Sequence, residues 1–344
     1  MNTKNLSIGI VGAGYFAQLH HQAWLACTGA TLVGIADPSP NAKLPASMPL
    51  YHSLDQMLAS QPIDVLDIVV PPDAHCGLIE TAIAAGITRI ICQKPFCQNL
   101  EQAEYITAKA EAAGISLVIH ENFRFQPWYR LLKSRIEDGV FGQIYQFRFA
   151  LRPGDGRGKD AYLARQPYFQ KMPRFLVHET AIHFLDLFCF LFGTPHNLYA
   201  DLRQLNPVLK GEDAGVIMVE FDNQITAIFD GNRLTDHLAE NPRLTMGEAW
   251  LETEAGVIML KGDGQLSLRR HHQQDDEILL PAHPQRDAFG GDCVFHLCQH
   301  IADAWNHDKN PENSAREYLE IMRLVETAYS SSAQGKKINL TVKG

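Results

Sequence analysis

Leu6-Ser7-Ile8-Gly9-Ile10-Val11-Gly12-Ala13-Gly14-Tyr15-Phe16-Ala17 decides how this chain begins to fold. The first six residues are largely apolar and read as a strand. Glycines stop it, and residues 15–28 read as a helix. The junction, Gly12 to Ala17, fits the pattern G-x-G-x-x-G/A. Each small residue has a task there. Gly12 permits the tight turn, Gly14 lets a pyrophosphate approach the backbone, and Ala17 lets the helix pack closely on the strand. The first helical N–H groups, at Tyr15 and Phe16, then face the phosphates with the positive end of the helix dipole. Such a hexamer alone is a weak signal. Here it follows a strand, opens a helix and starts a run of alternating units, which is the context it needs.

That run covers about 120 residues. Further apolar stretches at 31–36, 64–70, 89–92 and 116–120 read as strands, and 78–85 and 101–113 as helices. Strands that are apolar throughout, rather than alternating, suggest a sheet covered on both faces. Strands alternating with helices suggest a doubly wound parallel sheet of the Rossmann kind. Asp37 ends the second strand, 23 residues after Gly14. The fingerprint places an acid there to bond the ribose 2′-hydroxyl, and a carboxylate repels a 2′-phosphate. No arginine follows within Pro38 to Ala42. NAD is therefore expected in preference to NADP, although an Asp-Pro pair can also simply end a strand.

After residue 120 the pattern changes. Residues 128–137 read as an amphipathic helix, 144–151 as a strand and 152–159 as a glycine-rich charged loop. Residues 176–192 read as one long apolar helix. Residues 216–221 and 225–229 form a predicted hairpin turning at Asp222-Asn223, extended by strands at 244–253, 257–260 and 266–269. Helices at 293–306 and 315–331 close the chain. The expectation is two domains, a dinucleotide-binding domain over 1–122 and an α+β domain over 123–344. The second has a mostly antiparallel sheet with helices on one face.

Composition bounds the function. The chain has 344 residues, more than a single core of about 250–300 residues usually holds. Hydrophobic residues make up 46% and charged ones 20%, as in a globular protein. A formal net charge of −9 argues against a nucleic-acid partner. No apolar run reaches the roughly 18 residues that span a bilayer, so no membrane role is expected. Residues 1–8 lack the basic and apolar regions of a signal peptide. Seven cysteines without CxxC pairs fit a reducing compartment, and a cytoplasmic setting is expected.

Several short motifs, in this order, give a resemblance to a known family. They are the N-terminal GxGxxA, Pro72-Asp73-Ala74-His75, Gln93-Lys94-Pro95, Asn122-x-Arg124 before Pro127, His183-x-x-Asp186-Leu187 and Tyr329-Ser330-Ser331. The chain resembles the Gfo/Idh/MocA oxidoreductases over nearly its whole length. The resemblance implies a dinucleotide domain followed by an α+β domain, whose open sheet carries the substrate site and often builds dimers or tetramers. It implies hydride transfer between NAD(P) and a hydroxyl carbon of a sugar, polyol or related compound. It also implies that Pro71, Pro72, His75, Gln93 and Lys94 belong to the cofactor site. The family's Glu-Lys-Pro lysine matches Lys94, and its Asp-x-Gly-x-His histidine matches His183. Two departures stand out. Gln93 replaces the motif's glutamate. Glu179 stands for its aspartate, one methylene longer, and Ala181 for its glycine.

The residues themselves point to the same chemistry. Oxidising an alcohol needs a base for the hydroxyl proton and a group that polarises the oxygen. Lys94 lies just past a strand's carboxyl end, the edge where open α/β sheets bind ligands. On a regular helix over 176–192, Glu179, His183 and Asp186 fall on one stripe at i, i+4 and i+7. Ionisable groups on so apolar a helix are costly unless paired or useful. A histidine's reference pKa of about 6.5 suits a base near neutrality. His183 is read as the general base and Glu179 as its neighbour or a substrate acceptor. Asp186 is read as orienting His183 or fixing the backbone.

His178-Glu179 resembles the start of HExxH, but the next histidine comes at i+5, so no metal is expected. Arg124, Arg152, Arg157, Lys159, Arg165, Arg174 and His178 gather anion-ready groups around the glycine-rich loop, with Tyr162 as a candidate pocket wall. They suggest a substrate with a carboxylate or phosphate. A solvated loop or an oligomer contact explains them equally well. Two other functions remain open at this stage. One is a non-redox enzyme that oxidises its substrate transiently during an elimination such as glycoside cleavage. The other is a nucleotide-binding sugar sensor, against which Lys94 and His183 count.

Overall fold

Strand β1 (Leu6–Val11) has five of its six residues buried, the mark of a strand covered on both faces. The computed structural model describes residues 5–285 and 289–340. Beyond β1 come α1 (Ala17–Ala26), β2 (Ala30–Ala36), β3 (Leu50–Tyr51), α2 (Leu54–Ser60), β4 (Val65–Ile68), α3 (His75–Ala84), β5 (Arg89–Gln93), α4 (Leu100–Ala112) and β6 (Ser116–His120). Side-chain caps start two of the helices. Ser53 accepts from the Gln56 N–H ahead of α2, and Asn99 from the Gln102 N–H ahead of α4. The sheet order is β3-β2-β1-β4-β5-β6, parallel throughout. That is a doubly wound parallel sheet, as the sequence suggests, with β3 as a sixth strand and the direction of winding reversing between β1 and β4. The carboxyl ends at that reversal are where such a sheet leaves a crevice, and the glycine turn follows β1 there.

The rest of the chain comprises α5 (Pro127–Glu137), β7 (Ile144–Leu151), α6 (Ile182–Phe192), β8 (Pro195–Arg203), β9 (Ala214–Phe221), β10 (Thr226–Asn232), β11 (Gly247–Thr253), β12 (Gly256–Leu260), β13 (Leu266–Arg270), β14 (Glu277–Leu280), α7 (Cys293–Asn306), α8 (Ala315–Gln334) and β15 (Ile338–Asn339). The second sheet runs β14-β13-β12-β11-β7-β10-β9-β8-β15. Its pairs are antiparallel except β7 with β10. The predicted hairpin joins β9 to β10, with Asn223 at φ 56° in its turn. The chain divides into two compact units. One takes residues up to Asn122 together with Val294–Met322. The other takes Phe123–Cys293 and the chain from Arg323 on.

In the first unit, Asn313 and Ser314 cover the edge of β6. The Asn313 carbonyl accepts from the Ile119 N–H at 2.8 Å, and Ser314 bridges Val118. In the second unit, α6 lies on the sheet's inner face. Phe184 stacks on Phe149 with centroids 4.0 Å apart, and Phe188 meets Phe147 edge-on. These rings are fully buried, each contributing about 1.5–3 kcal/mol.

One local expectation fails. Residues 176–192 do not form a single regular helix. Leu176–Ala181 is a π-helical turn, and α6 begins only at Ile182. The wider turn breaks the 100° spacing assumed for Glu179, His183 and Asp186. Its physical cause is tertiary. Glu212 accepts from the N–H groups of Phe175 at 3.1 Å and Val177 at 3.0 Å, while its own carbonyl takes the N–H of Leu176. Among the described residues, no helix is long and apolar enough to cross a membrane.

Candidate active site

The glycine turn is built as its sequence requires. Gly12 has φ +118°, and a Cβ there would stand 2.1 Å from the Val69 carbonyl oxygen. No other residue fits that backbone. Gly14 has open space in place of a Cβ, which leaves its main chain accessible. Ala17, 1% exposed, opens α1 against the sheet. No side chain caps this helix start, and Tyr15 there is 46% exposed. Asp37 ties the turn to β2. Its Oδ2 accepts from the Ala13 N–H at 2.7 Å and its Oδ1 from the Ser39 N–H at 2.9 Å. The carboxylate thus organises the turn as well as ending the strand, and each oxygen keeps a lone pair for a hydroxyl. His21 supports the turn from behind. Burial lowers its pKa, and the neutral ring donates to the Gly12 carbonyl at 3.2 Å. A Cβ-free approach, an uncapped helix start and an acid at the end of β2 together fit a dinucleotide.

After β4, Pro71 and Pro72 turn the chain into α3. His75 is wholly buried, and burial lowers its pKa. Its Nε2 donates to the Val70 carbonyl at 2.9 Å, so it braces this turn. Gln93 ends β5, and Lys94 follows, half-buried, joined to Pro95 by a cis peptide bond. The Gln93 amide oxygen accepts from the Lys94 N–H at 2.7 Å. Behind it lie residues that sequence reading did not single out: His20, Trp24, Asp67, His120 and Cys298. His20, His120 and Cys298 bring potential ligand atoms within 4.8 Å of one another. Both ring nitrogens of His20 are already committed, to Asp67 and to Gln93. The cluster is accordingly a hydrogen-bond network.

In the second unit, His183 is 5% exposed and lies flat on Phe123, with centroids 3.9 Å apart and planes 4° apart. His178 and Glu179 sit, half-buried, on the π-helical turn. Asp186 receives Arg124 in a two-pronged ion pair, with Nε to Oδ2 at 2.8 Å and Nη2 to Oδ1. Its carboxylate is thereby engaged with Arg124, which was read as an anion-binding group, and the guanidinium also lies over Phe190.

The other arginines expected as anion binders are likewise paired with carboxylates. Arg152 bonds Asp230 at 2.9 Å, Arg165 bonds Asp155 at 3.0 Å, and Arg174 bonds Glu326. Arg157 reaches Asp236 at 3.4 Å with both side chains exposed, a contact of little energetic weight. Tyr162, read as a candidate pocket wall, is largely buried. It is 6% exposed and packs with Ala161, Phe169, Phe175 and Leu209.

At the centre of that cluster is Arg233, 2% exposed and unremarked in the sequence. It donates to Asp155 through Nε at 3.2 Å and Nη2 at 3.0 Å, to the Tyr162 hydroxyl at 2.8 Å and to Thr180 Oγ1 at 2.7 Å. Burial alone would raise the Asp155 carboxyl. The guanidiniums of Arg233 and Arg165 outweigh it and hold the group below its ordinary range. Thr180 belongs to the π-helical turn, so this network ties the glycine-rich loop to the segment bearing His178 and Glu179.

The sequence profile described as "Oxidoreductase family, NAD-binding Rossmann fold" (Gfo/Idh/MocA) matches residues 6–120. Its companion, "Oxidoreductase family, C-terminal alpha/beta domain", matches residues 133–340. The chain belongs to the Gfo/Idh/MocA oxidoreductase family. It is an NAD-binding oxidoreductase, and the glycine turn lies within the matched Rossmann segment. Among its relatives, D-apiose dehydrogenase of Rhizobium rhizogenes is 29% identical, covering 99% of this chain and 99% of that protein. D-apiose dehydrogenase of Paraburkholderia graminis is 28% identical, covering 98% and 90%. An oxidoreductase from Agrobacterium radiobacter, crystallised with NAD+, L-tartaric acid and magnesium, is 27% identical. It superposes with a TM-score of 0.85 over 98% of each chain.

Proposed function

We propose that this Gfo/Idh/MocA protein is a dehydrogenase for a neutral sugar or polyol, with Lys94 as its acid and His183 as its base. The bound nicotinamide supplies a hydride acceptor, and everything else is asked of the chain. His183 takes the hydroxyl proton, and stacking on Phe123 fixes its ring plane. Lys94, an ammonium at the carboxyl edge of the parallel sheet, donates to the oxygen as negative charge develops there. Glu179 contributes as an acceptor for a neighbouring substrate hydroxyl. Asp37, with carboxylate lone pairs at the end of β2, favours NAD over NADP.

The single observation that carries the substrate class is the pairing of three of these arginines. Arg124, Arg152 and Arg165 each meet a carboxylate of their own unit. A substrate anion would have to displace those partners, whereas hydroxyls need none of them. The two D-apiose dehydrogenases make D-apiose and related aldoses the first compounds to try. The test is NAD+ reduction, followed as NADH absorbance, over aldoses, polyols and sugar acids. Steady NADH production with neutral compounds is expected. Turnover with no net absorbance change would favour transient oxidation instead, and a preference for acids would overturn the neutral assignment.

We further infer that the open face of the second sheet joins copies of this chain. Cross-strand pairing sets Tyr199, Met218, Ile228, Arg148, Trp250 and Met259 in one row, with Arg148 over the Trp250 ring at 5.6 Å. The flanking strands alternate buried and half-buried residues, so this row is the side away from α6. An apolar stripe of this kind is unusual on a lone protein. Wild-type protein is expected as a dimer or tetramer by light scattering, and Ile228→Glu as monomer that still binds NAD+. A monomeric wild type would refute the interface.

A further inference from the structure

A chain of buried hydrogen bonds ends on the main chain of Lys94. Asp67 on β4 is fully buried, and its Oδ2 accepts from Trp24 Nε1 at 2.7 Å and from His20 Nδ1 at 2.8 Å. His20, on α1 and also fully buried, has its Nε2 2.9 Å from Gln93 Nε2. Gln93 Oε1 then meets the Lys94 N–H at 2.7 Å.

This geometry fixes every proton. The Lys94 N–H can only donate, so the Gln93 atom facing it is the oxygen. The amide NH2 therefore faces His20 and can only donate, which makes His20 Nε2 an acceptor. The one ring proton sits on Nδ1 and goes to Asp67. His20 is thus a neutral imidazole in one tautomer. Turning the Gln93 amide over would set a donor against the Lys94 N–H, so the alternative is closed.

We propose that Asp67, His20 and Gln93 are a positioning relay that fixes the main chain of Lys94 to α1, and that glutamine at 93 keeps His20 neutral. The proposal rests on the reading of Lys94 as the amine that meets substrate. It joins four elements, β4, α1, β5 and the turn after β5. Helix α1 is the one that opens at the glycine turn, so cradle and lysine share one buried scaffold. None of the three relay residues need touch substrate. They act through the Lys94 backbone, where a misplacement of about 1 Å costs about 10²-fold in rate.

The sequence departs here from the family's Glu-Lys-Pro, and the departure gives the test. Glutamate at 93 would still accept from the Lys94 N–H but would offer His20 a second acceptor instead of a donor. His20 would then need a second proton, giving an imidazolium between two carboxylates. Flanking carboxylates favour that charged form and raise its pKa. A raised folded pKa means the interaction is intact at low pH and lost as pH rises through that value.

Other groups share the surroundings. His21 is next on α1, and the His120 ring of β6 lies 4.1 Å from that of His20. Cys298 Sγ lies 3.7 Å from His120 Nε2, Cys92 on β5 interacts with Asp67, and Asp37 acts on His21. The neutral His21 and the buried thiols do not replace the missing donor.

The experiment compares wild type, Gln93→Glu and Gln93→Leu in kcat and KM against pH, NAD+ affinity by fluorescence titration, melting temperature, and 15N spectra of the His20 ring. Wild type should show a neutral Nδ1–H tautomer across the range and Gln93→Glu a doubly protonated ring at low pH. Gln93→Glu should lose kcat by about 10-fold or more on the alkaline side only, and Gln93→Leu at every pH, with KM and NAD+ affinity within about threefold. Adding His20→Phe to Gln93→Leu should cost little more, as for residues acting as one unit. The relay is overturned by a wild-type His20 that is doubly protonated near neutrality, or by a Gln93→Glu variant whose pH profile matches wild type. It is equally overturned if kcat and KM worsen together in step with melting temperature. A Lys94→Ala control separates the two readings. Its retained turnover would remove Lys94 from the chemistry, while the His20 spectra would still judge the hydrogen-bond chain.

Discussion

Lys94→Ala is expected to lower kcat by about 10²–10⁴-fold while leaving NAD+ affinity within about threefold, the range typical of removing a positioned acid or base. The asymmetry follows from where the parts sit. On the proposed reading the cradle is main chain at Gly12 to Ala17 and the Asp37 carboxylate, which accepts from the Ala13 N–H. The lysine's backbone is held by Gln93, and truncation at Cβ leaves that bond intact. What is lost is one ammonium aimed from the sheet's carboxyl edge. Lys94→Arg keeps the charge but replaces a compact ammonium by a planar fork on a longer stem, so it should recover little. His183→Gln, which keeps a polar group on the Phe123 ring but cannot take a proton, should fall in the same range. Steady-state kinetics on the best compound from the NAD+ screen, with NADH fluorescence titration of each variant, checks all three. Wild-type turnover in Lys94→Ala would remove the lysine from the mechanism, and a parallel loss of NAD+ binding would recast it as a cofactor residue.

The parallel sheet and its glycine turn were legible because their determinants are local. Apolar runs, helix caps and a φ that only glycine tolerates all lie within a few residues of what they specify. The β9–β10 hairpin was legible for the same reason, through Asp222 and Asn223. The helix over 176–192 was misread because its first turn is set from a distance. Glu212 takes the N–H groups that a regular start would have placed otherwise, and it lies 35 residues beyond Val177. The partners of the arginines were hidden in the same way. Arg124 meets Asp186 across 62 residues and Arg152 meets Asp230 across 78, separations that no local pattern reports. The His20–Asp67 contact spans 47 residues, and no spacing rule would have found it.

Arg233→Met is expected to destabilise the second unit by about 3–5 kcal/mol, the cost of breaking a buried pair by removing one partner. The guanidinium is nearly inaccessible, meets the faces of Phe175 and Tyr162, and satisfies Asp155, Tyr162 and Thr180 together. Methionine fills much of the volume but leaves the Asp155 carboxylate with only Arg165 and the Tyr162 hydroxyl. In a unit of this size such a loss corresponds to a fall in melting temperature of about 10 °C.

The pH dependence follows from Asp155, whose folded pKa is depressed. A depressed carboxyl contributes stability above its unfolded pKa of about 3.9, and that contribution disappears as pH falls through the folded value. The gap between wild type and Arg233→Met should therefore be widest near neutrality and should narrow in acid. A gap that stays constant down to the acid transition would mean that packing, not charge, is what Arg233 supplies. Replacing Asp155 by leucine in the same chain should restore part of the loss, because the stranded charge is then gone. Function should follow the same division. The π-helical turn bearing His178 and Glu179 is tied to Arg233 through Thr180, whereas the glycine turn belongs to the other unit. Below its melting transition, Arg233→Met should bind NAD+ as wild type does while its substrate KM rises. Equal damage to cofactor and substrate binding would show that the network steadies the whole chain and not this turn.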